Sequence, residues 1–405
     1  MKILISSMSI QYFQNYIRSF YFAKHLVEKG HQVTLLTAAP KHKWFKFGIE
    51  NEAGVKVIII PDVVNWRLRR GGLGPVNFLF RLIYILIHKF DIYHGDGHRP
   101  AILIPILIGR KVFRKPFFSE WMDIFGKGGI HDNRSKAEKW LIGFYDRFFE
   151  TKTRKIANGS VVLSKSLYNR VANLAIEEKN ILLLHGGADI SNIKVLPLKE
   201  SRKKLNLSLD KFIFGLVGIN KDDLHDLDIL FEAIRQIDFS LRMKIFIITT
   251  GSLQNFDLIL KEKKLSEHFY HFGWIDRKDY NSFLCSCDVM IMPMKDNERN
   301  RNKWPMKFGD FLAAGRPVIS NPVGDTKDYF EKKEIGFLIN NTASDFKNTI
   351  EFCLKNINKV YQFGLNARVV AEEEISYQAQ TDKLINFYSK FLQNSNIKKF
   401  EEGAI

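Results

Sequence analysis

Short apolar runs alternate with stretches of helical spacing from the first residues onward. Lys2–Ser6 reads as a strand, and Ile17–Lys29 carries apolar residues at helical intervals (Ile17, Phe20, Phe22, Ala23, Leu26, Val27). Gly30-His31 ends that helix, and Gln32–Thr37 is a second β-rich run. Strand, helix and strand within so short a span make a βαβ unit with parallel strands and a right-handed crossover. The alternation continues through strands at Val55–Ile60, Phe90–His94, Pro116–Glu120, Gly159–Leu163 and Ile181–His185, with helices over Val76–Lys89 and Ala137–Lys155. It breaks in the polar, Lys-rich stretch Asp189–Leu209, which contains Pro197. A second series starts at Phe212–Val217, with strands at Lys244–Thr249, Tyr270–Phe272, Val289–Met292, Pro317–Ser320 and Gly336–Ile339. An amphipathic helix near Ala379–Leu392 closes the chain before a polar tail. The pattern predicts an α/β protein of two Rossmann-like, doubly wound domains. These are residues 1–190, completed by a helix over 376–395, and residues 205–375. No internal repeat of 20–50 residues is visible.

Composition agrees with that picture. The chain has 405 residues, 45% hydrophobic and 26% charged, which excludes a disordered chain, a fibre and a small disulfide scaffold. Three cysteines without a Cys-x-x-Cys pair (Cys285, Cys287, Cys353) point to reduced thiols rather than disulfides or zinc. The N-terminus lacks a small-residue cleavage signature and reads as a strand. The apolar stretches Val76–Ile87, which contains Arg81, and Ala101–Ile108 fall short of the ~20 residues of a spanning helix, so a soluble or peripheral protein is expected.

Charge narrows the partners. The net charge is +17, and residues 1–130 hold 19 Lys and Arg against 8 Asp and Glu, contributing +11. Trp66-Arg67-Leu68-Arg69-Arg70 stands beside the apolar Val76–Lys89, with Lys41, Lys43, Trp44, Lys46 and Phe47 upstream. Basic residues interleaved with aromatic ones suit an anionic membrane surface. No nucleic-acid module is visible, so nucleic acid is not expected as a partner.

The first βα turn, Ser6-Ser7-Met8-Ser9-Ile10-Gln11, has no glycine, which argues against a nicotinamide or flavin dinucleotide there. The informative segment is Asn297–Asp325, NERNRNKWPMKFGDFLAAGRPVISNPVGD. A charged loop leads into Trp304-Pro305, Pro305 suits a first helical turn, and the helix Met306–Ala314 stops at Gly315 before the strand Pro317–Ser320. That helix start follows the C-terminal end of Val289–Met292, where free N–H groups and the dipole favour phosphate. Asp310, one turn in and near Lys307, can accept both hydroxyls of a ribose.

This segment resembles the nucleotide-sugar signature of the GT-B glycosyltransferases, specifically the retaining family 4. The residues Asp310-Phe311-Leu312-Ala313-Ala314-Gly315-Arg316-Pro317-Val318 are similar to its Glu-Ala-x-Ala-x-Gly-x-Pro-Val string. Gly30-His31-Gln32-Val33, Gly159–Ser164, Gly186-Gly187-Ala188-Asp189, Gly218, Phe272-Gly273-Trp274 and Asp288-Val289-Met290 resemble further landmarks in the family's order, over about residues 1–395. Three positions depart from the family. Asn302 stands where the first acid of its pair falls, Ile219 where its phosphate-binding arginine falls and His225 where its lysine falls. Lys221, Arg299, Arg301, Lys303 and Lys307 are candidates to supply the missing positive charge.

The resemblance implies a retaining, metal-independent transfer of a sugar from a UDP- or GDP-sugar to a lipid-linked or surface-glycan acceptor. No separate cofactor is implied. The second domain would hold the donor and the first the acceptor, across a cleft. Asp123, Asn302 and Lys307 are the candidate catalytic residues. Gly218, Lys221, His225, Trp274, Lys303 and Asp310 are the candidate donor contacts. Asp123 closes the strand in Glu120-Trp121-Met122-Asp123, ahead of Gly128-Gly129. The turn His94-Gly95-Asp96-Gly97-His98 has cation-like residues but no further ligand set, so it is read as a stabilised turn or a sugar contact, with no metal site. The expected location is the cytoplasmic face of a membrane. A non-catalytic glycan-binding or scaffold protein on the same fold is the rival reading, and a sugar-nucleotide epimerase a weaker one.

Overall fold

The computed structural model describes residues 1–126, Gly129 and residues 134–402, without the side chains of Gln14, Ala137, Glu138, Leu141, Asp222, His225 and residues 394–402. Two compact units emerge. The first is Met1–Gly186 together with the chain from Tyr377, and the second is Gly187–Ser376.

Unit 1 is built on an eight-stranded sheet: β1 (Lys2–Ile10), β2 (Gln32–Ala38), β3 (Gly48–Glu52), β4 (Val55–Ile60), β5 (Ile92–Gly95), β6 (Phe117–Trp121), β7 (Gly159–Val162) and β8 (Ile181–Leu183). The order is β3-β4-β2-β1-β5-β6-β7-β8, parallel except for β3. Ile3 of β1 pairs with Val33 on one side and Ile92 on the other, so the strand order reverses at the β1/β5 boundary. Strands β1, β5 and β6 are almost wholly buried, as parallel strands covered on both faces must be. The helices are α1 (Gln14–Glu28), α2 (Trp66–Arg70), α3 (Pro75–Ile87), α4 (Pro100–Phe113), α5 (Lys136–Leu141), α6 (Gly143–Ile156) and α7 (Lys165–Ala172). Helix α1 ends where His31 N–H donates to the Leu26 carbonyl at 3.0 Å. This 6→1 bond needs Gly30 at φ +84°, a conformation that a Cβ resists. The C-terminal helix, Tyr377–Glu402, stacks Tyr377 on Tyr21 and packs Phe387 and Tyr388 on Phe118.

Right-handed crossovers put α3, α4 and α6 on one face of this sheet, since β4→β5, β5→β6 and β6→β7 all step in the same direction. The three helices accordingly share a core: Tyr84 and Ile85 of α3 and Ile102, Leu103 and Ile106 of α4, with Phe149 of α6 against them. The stretch Trp66–Ile87 is, by length and composition, apolar enough to cross a membrane, contrary to the expectation from Val76–Ile87 alone. The chain breaks it between α2 and α3, and the inner face of α3 belongs to the core. Arg81 is fully buried there, donating to Ser6 Oγ at 2.6 Å, Asn77 Oδ1 at 2.7 Å and the Ser7 carbonyl at 2.8 Å. Burial pulls its pKa down to about 10, so it stays charged at neutral pH, with Asp96 and Asp62 as the nearby anions.

Unit 2 has six parallel strands: β9 (Phe212–Ile219), β10 (Ile245–Gly251), β11 (Phe269–His271), β12 (Val289–Met292), β13 (Val318–Ser320) and β14 (Gly336–Leu338). Their order is β11-β10-β9-β12-β13-β14, reversing between β9 and β12. Phe231, Ile247, Phe269, Ile291 and Phe346 belong to its main core cluster.

The structure corrects several expected boundaries. β1 runs on to Ile10, past the polar Ser6-Ser7, because buried partners take up those hydroxyls. β3 was not expected. Its sequence, Gly-Ile-Glu-Asn-Glu, is polar because it forms an edge, paired antiparallel with β4. Ala101–Ile108 is the body of α4, and Ala137–Lys155 divides at Ile142 into α5 and α6. Part of the basic and aromatic cluster is internal. Arg69 is buried, with its guanidinium on the Ala39 and Lys41 carbonyls, whereas Arg70, over Phe13, and Lys41, over Trp66, stay exposed.

Candidate functional site

In unit 2 the candidates Gly218 and Lys307, with Asp310 on the same helix, lie at the β9/β12 reversal, the place where open parallel sheets hold ligands. Gly218 lies near the end of β9 at φ +67°, and its N–H donates to Thr250 Oγ1 at 3.1 Å. The helix Met306–Ala313 starts beyond β12, and its second residue, Lys307, donates to the Val217 carbonyl. A Cβ on Gly218 would lie 3.7 Å from Lys307 Nζ, so the two candidates share one space. Burial lowers the Lys307 pKa, and Asp223 opposes that shift. The ammonium is thus held near a backbone turn with Asp223 as a nearby counter-charge.

Asp310 lies three residues further along the same helix, on the face shared with Lys307. Tyr280 O–H donates to Asp310 Oδ2 at 2.9 Å. Burial pushes the Asp310 carboxyl up to about 7, Tyr280 opposes this, and the Asp189 carboxylate adds to it. Gly309 packs on Gly187 and Ala188, where a Cβ would come within 3.3 Å of Ala188. The Gly-Gly-Ala-Asp element therefore lies against the signature helix, and a side chain at 309 would push the two apart.

The remaining donor candidates are placed as follows. Lys221 is exposed, in the short turn Lys221–Asp223. His225 is in the first turn of the helix Leu224–Gln236, and its side chain lies outside the described residues. Trp274 is 81% exposed, just after Gly273, whose carbonyl accepts from Gly251 N–H. Asn302 is buried at the end of the short helix Glu298–Asn302, and Lys303 follows it, half-buried. Trp304 packs its ring edge-on to Phe308 and Tyr329, which fixes how the loop enters the helix. Pro305 caps that helix instead of occupying its first turn. Arg301 forms an ion pair with Asp296, so its charge is locally compensated. Ile219 is buried in the core cluster, so its side chain brings no charge to the phosphate turn.

Sequence reasoning missed Tyr280, which sits amid a helical pattern that reads as ordinary packing. It also missed Asn321, which accepts from Met294 N–H and donates to the Ile339 carbonyl, tying the ends of β12 and β14.

In unit 1, Asp123 is exposed on the loop that follows β6. Its carbonyl accepts from Trp121 Nε1 at 2.9 Å. Glu150 of α6 holds this loop from behind, accepting from Trp121 Nε1 at 3.0 Å, Phe125 N–H at 2.7 Å and Gly126 N–H at 2.9 Å. Burial raises the Glu150 pKa, and these donors and Arg154 oppose the rise. Gly128 of the Gly128-Gly129 pair lies outside the described residues.

The turn His94–His98 faces inward. His94 Nε2 meets Glu120 at 3.2 Å and its Nδ1 meets Tyr388 Oη at 2.7 Å. Asp96 accepts from Ser7 Oγ at 2.6 Å and from Met8 N–H. His98 meets Asp146 at 2.8 Å, and the same carboxylate takes Arg99 and Arg134. Burial pushes Asp96 up to about 6 and His98 down to about 4. Burial would also raise Glu120, yet Arg18 at 2.8 Å and His94 bring it to about 2. These side chains therefore fix the strand-end loops. Among the described residues, no group of three or more His, Cys, Asp or Glu side chains is arranged to hold a metal ion.

Comparison with known proteins agrees with this geometry in both units. Residues 18–192 match the family described as Glycosyltransferase Family 4, and residues 211–356 match Glycosyl transferases group 1. Two parallel-sheet Rossmann-like units of this kind make a GT-B fold. The chain belongs to glycosyltransferase family 4, a retaining family, and is a glycosyltransferase. The scaffold and epimerase readings find no support in that membership. A protein described as an uncharacterized 41.2 kDa protein in the cps region of Klebsiella pneumoniae is 21% identical over 274 residues, 66% of this chain and 71% of that one. The crystal structure of Anabaena HepE in complex with UDP is similar over 96% of this chain and 100% of that chain, with a TM-score of 0.69 at 14% identity. WaaG, a glycosyltransferase involved in lipopolysaccharide biosynthesis, is similar over 94% of this chain and 98% of that chain, with a TM-score of 0.65 at 13% identity.

Proposed function

We propose that this transferase moves a sugar from a UDP-sugar to a lipid-linked or surface-glycan acceptor, with unit 2 holding the donor and unit 1 the acceptor. The observation that carries the donor half is the placement of Lys307 beside Gly218 at the β9/β12 reversal, with Asp310 on the same helix face. In this reading Lys307, the Gly218 turn and the free N–H groups opening the helix Met306–Ala313 stabilise the diphosphate, where negative charge develops as the glycosidic bond breaks. Asp310 accepts the ribose hydroxyls, with Tyr280 fixing its second oxygen. Lys221, His225 and Lys303 are further phosphate candidates, Trp274 lies beside the base, and Asn302 and Asp123 contact the sugars. Buried Ile219 and the amide of Asn302 leave Lys307 a larger share of the electrostatic work than a chain with charges at those positions requires. UDP is favoured over GDP because HepE binds UDP in a structure of the same fold.

The acceptor half rests on the capsule-region relative and on unit 1, whose first 130 residues carry +11. Helix α3 exposes Leu79, Ile83, Leu86 and Ile87 on its outer side. This suits an enzyme that meets its acceptor at the cytoplasmic face of an anionic membrane. A thermal-shift panel of UDP-, GDP-, ADP- and CMP-sugars tests the donor. Only UDP-sugars should raise the melting temperature, by mass action on the native state. A selective rise with another base overturns the UDP assignment.

A further inference from the structure

Resting on the reading of a membrane-borne acceptor, we propose that the aromatic ridge Trp140, Phe144 and Phe148 enters the interface of an anionic lipid bilayer, and that its docking orders the acceptor loop that carries Asp123. The three residues are spaced by four in sequence, Trp140 near the end of α5 and Phe144 and Phe148 about one turn apart on α6. They are 82%, 71% and 45% exposed, an unusual display of large aromatic rings to water. Phe144 and Phe148 stack nearly parallel at 6.3 Å, and Lys152 Nζ lies 4.7 Å over Phe148.

Charge identifies the occupant. Both acids of α6, Asp146 and Glu150, are buried, whereas its exposed charges, Arg147, Lys152 and Lys155, are all basic. Helices α2, α3 and α4 contain no acid at all. Exposed aromatic rings beside a helix whose exposed charges are all basic fit a surface that offers acyl chains beneath anionic headgroups. A second copy of the chain, packed two-fold on the same ridge, would bring Arg147, Lys152 and Lys155 against their own like charges.

Helix α6 joins this ridge to the acceptor loop. Glu150, about one turn from Arg147 and two residues from Phe148, holds Trp121, Phe125 and Gly126, and Asp146 holds His98, Arg99 and Arg134. Movement of α6 at the lipid surface is thereby transmitted to two strand-end loops through charge-assisted hydrogen bonds.

The test uses the full chain with phosphatidylcholine vesicles, with and without 30% phosphatidylglycerol as a chosen ~third of anionic lipid. Wild type should float with the anionic vesicles only. The triple variant Trp140→Ser, Phe144→Ser, Phe148→Ser should bind them at least about tenfold more weakly, with its UDP thermal shift unchanged. Hydrogen exchange of residues 121–126 should slow on vesicle binding in wild type. Glu150→Gln should still float but lose that protection. Equal flotation of the triple variant overturns docking by the ridge. Exchange that ignores vesicles overturns the coupling. A ridge that binds soluble oligosaccharide in place of vesicles, or whose loss only abolishes a dimer, overturns the choice of lipid. Lost flotation with full turnover on a detergent-solubilised acceptor overturns this proposal and leaves the acceptor reading standing. Intact flotation without turnover on any lipid-linked acceptor supports docking and counts against that reading.

Discussion

The two units handle charge in opposite ways. Unit 2 places its candidate donor groups, Lys307 and Asp310, on one helix at a strand reversal, with the Arg202–Asp288 pair elsewhere in the unit. Unit 1 leaves its candidate acceptor residue, Asp123, exposed and buries many ions in its interior: Arg18 with Glu120, Arg81 among serines, Asp146 with His98 and Arg99, and Glu150 under the loop. The difference follows from what each unit positions. A helix N-terminus is rigid and supplies its own partial charge. A loop has neither property, so its shape must come from side chains that reach it from below. Buried ions add little net stability, but removing one partner leaves the other uncompensated, so the loop's conformation depends on each of these contacts.

Three perturbations test this contrast. The largest effect is expected for Arg81→Leu, which strands Asn77 and the Ser6-Ser7 turn in the core of unit 1. It should destabilise that unit by about 3–5 kcal/mol, seen as an early thermal transition, while UDP binding by unit 2 survives at lower temperature. Loss of both together would mean that the units do not separate as described. Next, Asp310→Ala should weaken UDP binding by roughly 100-fold in calorimetry, the sum of two charge-assisted hydrogen bonds, with little change in melting temperature. An unchanged Kd removes Asp310 from the site. The smallest is a pH effect. With the Asp310 carboxyl at about 7, acidification protonates it and would remove the anionic acceptor proposed for the ribose. The UDP Kd should therefore rise about tenfold from pH 8 to pH 6, and Asp310→Asn should flatten the profile. A slope that persists in Asp310→Asn belongs to the phosphates instead.

How much of this could be read from sequence depended on whether a residue's role is local. The alternation of strands and helices, the stop at Gly30 and the Pro305-to-Gly315 helix are local signals, and they place the candidates Lys307 and Asp310 on one helix. The polar strand β3 escaped because an edge needs no apolar alternation. Helix α4 was seen only as an apolar run, since a buried helix and a buried strand look alike over eight residues. The supports of the Asp123 loop were invisible for another reason. Glu150 is 27 residues from Asp123 in sequence, inside a helix whose pattern permits a surface acid. Only the fold brings it under Trp121 and Phe125. Tyr280 and Asp310 pose the same problem at a separation of 30. The basic and aromatic cluster shows the converse. Trp66–Arg70 looked like free surface charge, yet Arg69 holds two backbone carbonyls and is buried.

The antiparallel strand β3 has a further consequence. It forms the outer margin of unit 1's sheet and carries Glu50 and Glu52, with Glu50 bonded to Lys46 and Gln11. A neighbouring molecule that tried to extend this sheet would have to desolvate those carboxylates. A chain so rich in apolar strands and exposed rings is thereby kept from growing sideways into fibrils at this margin.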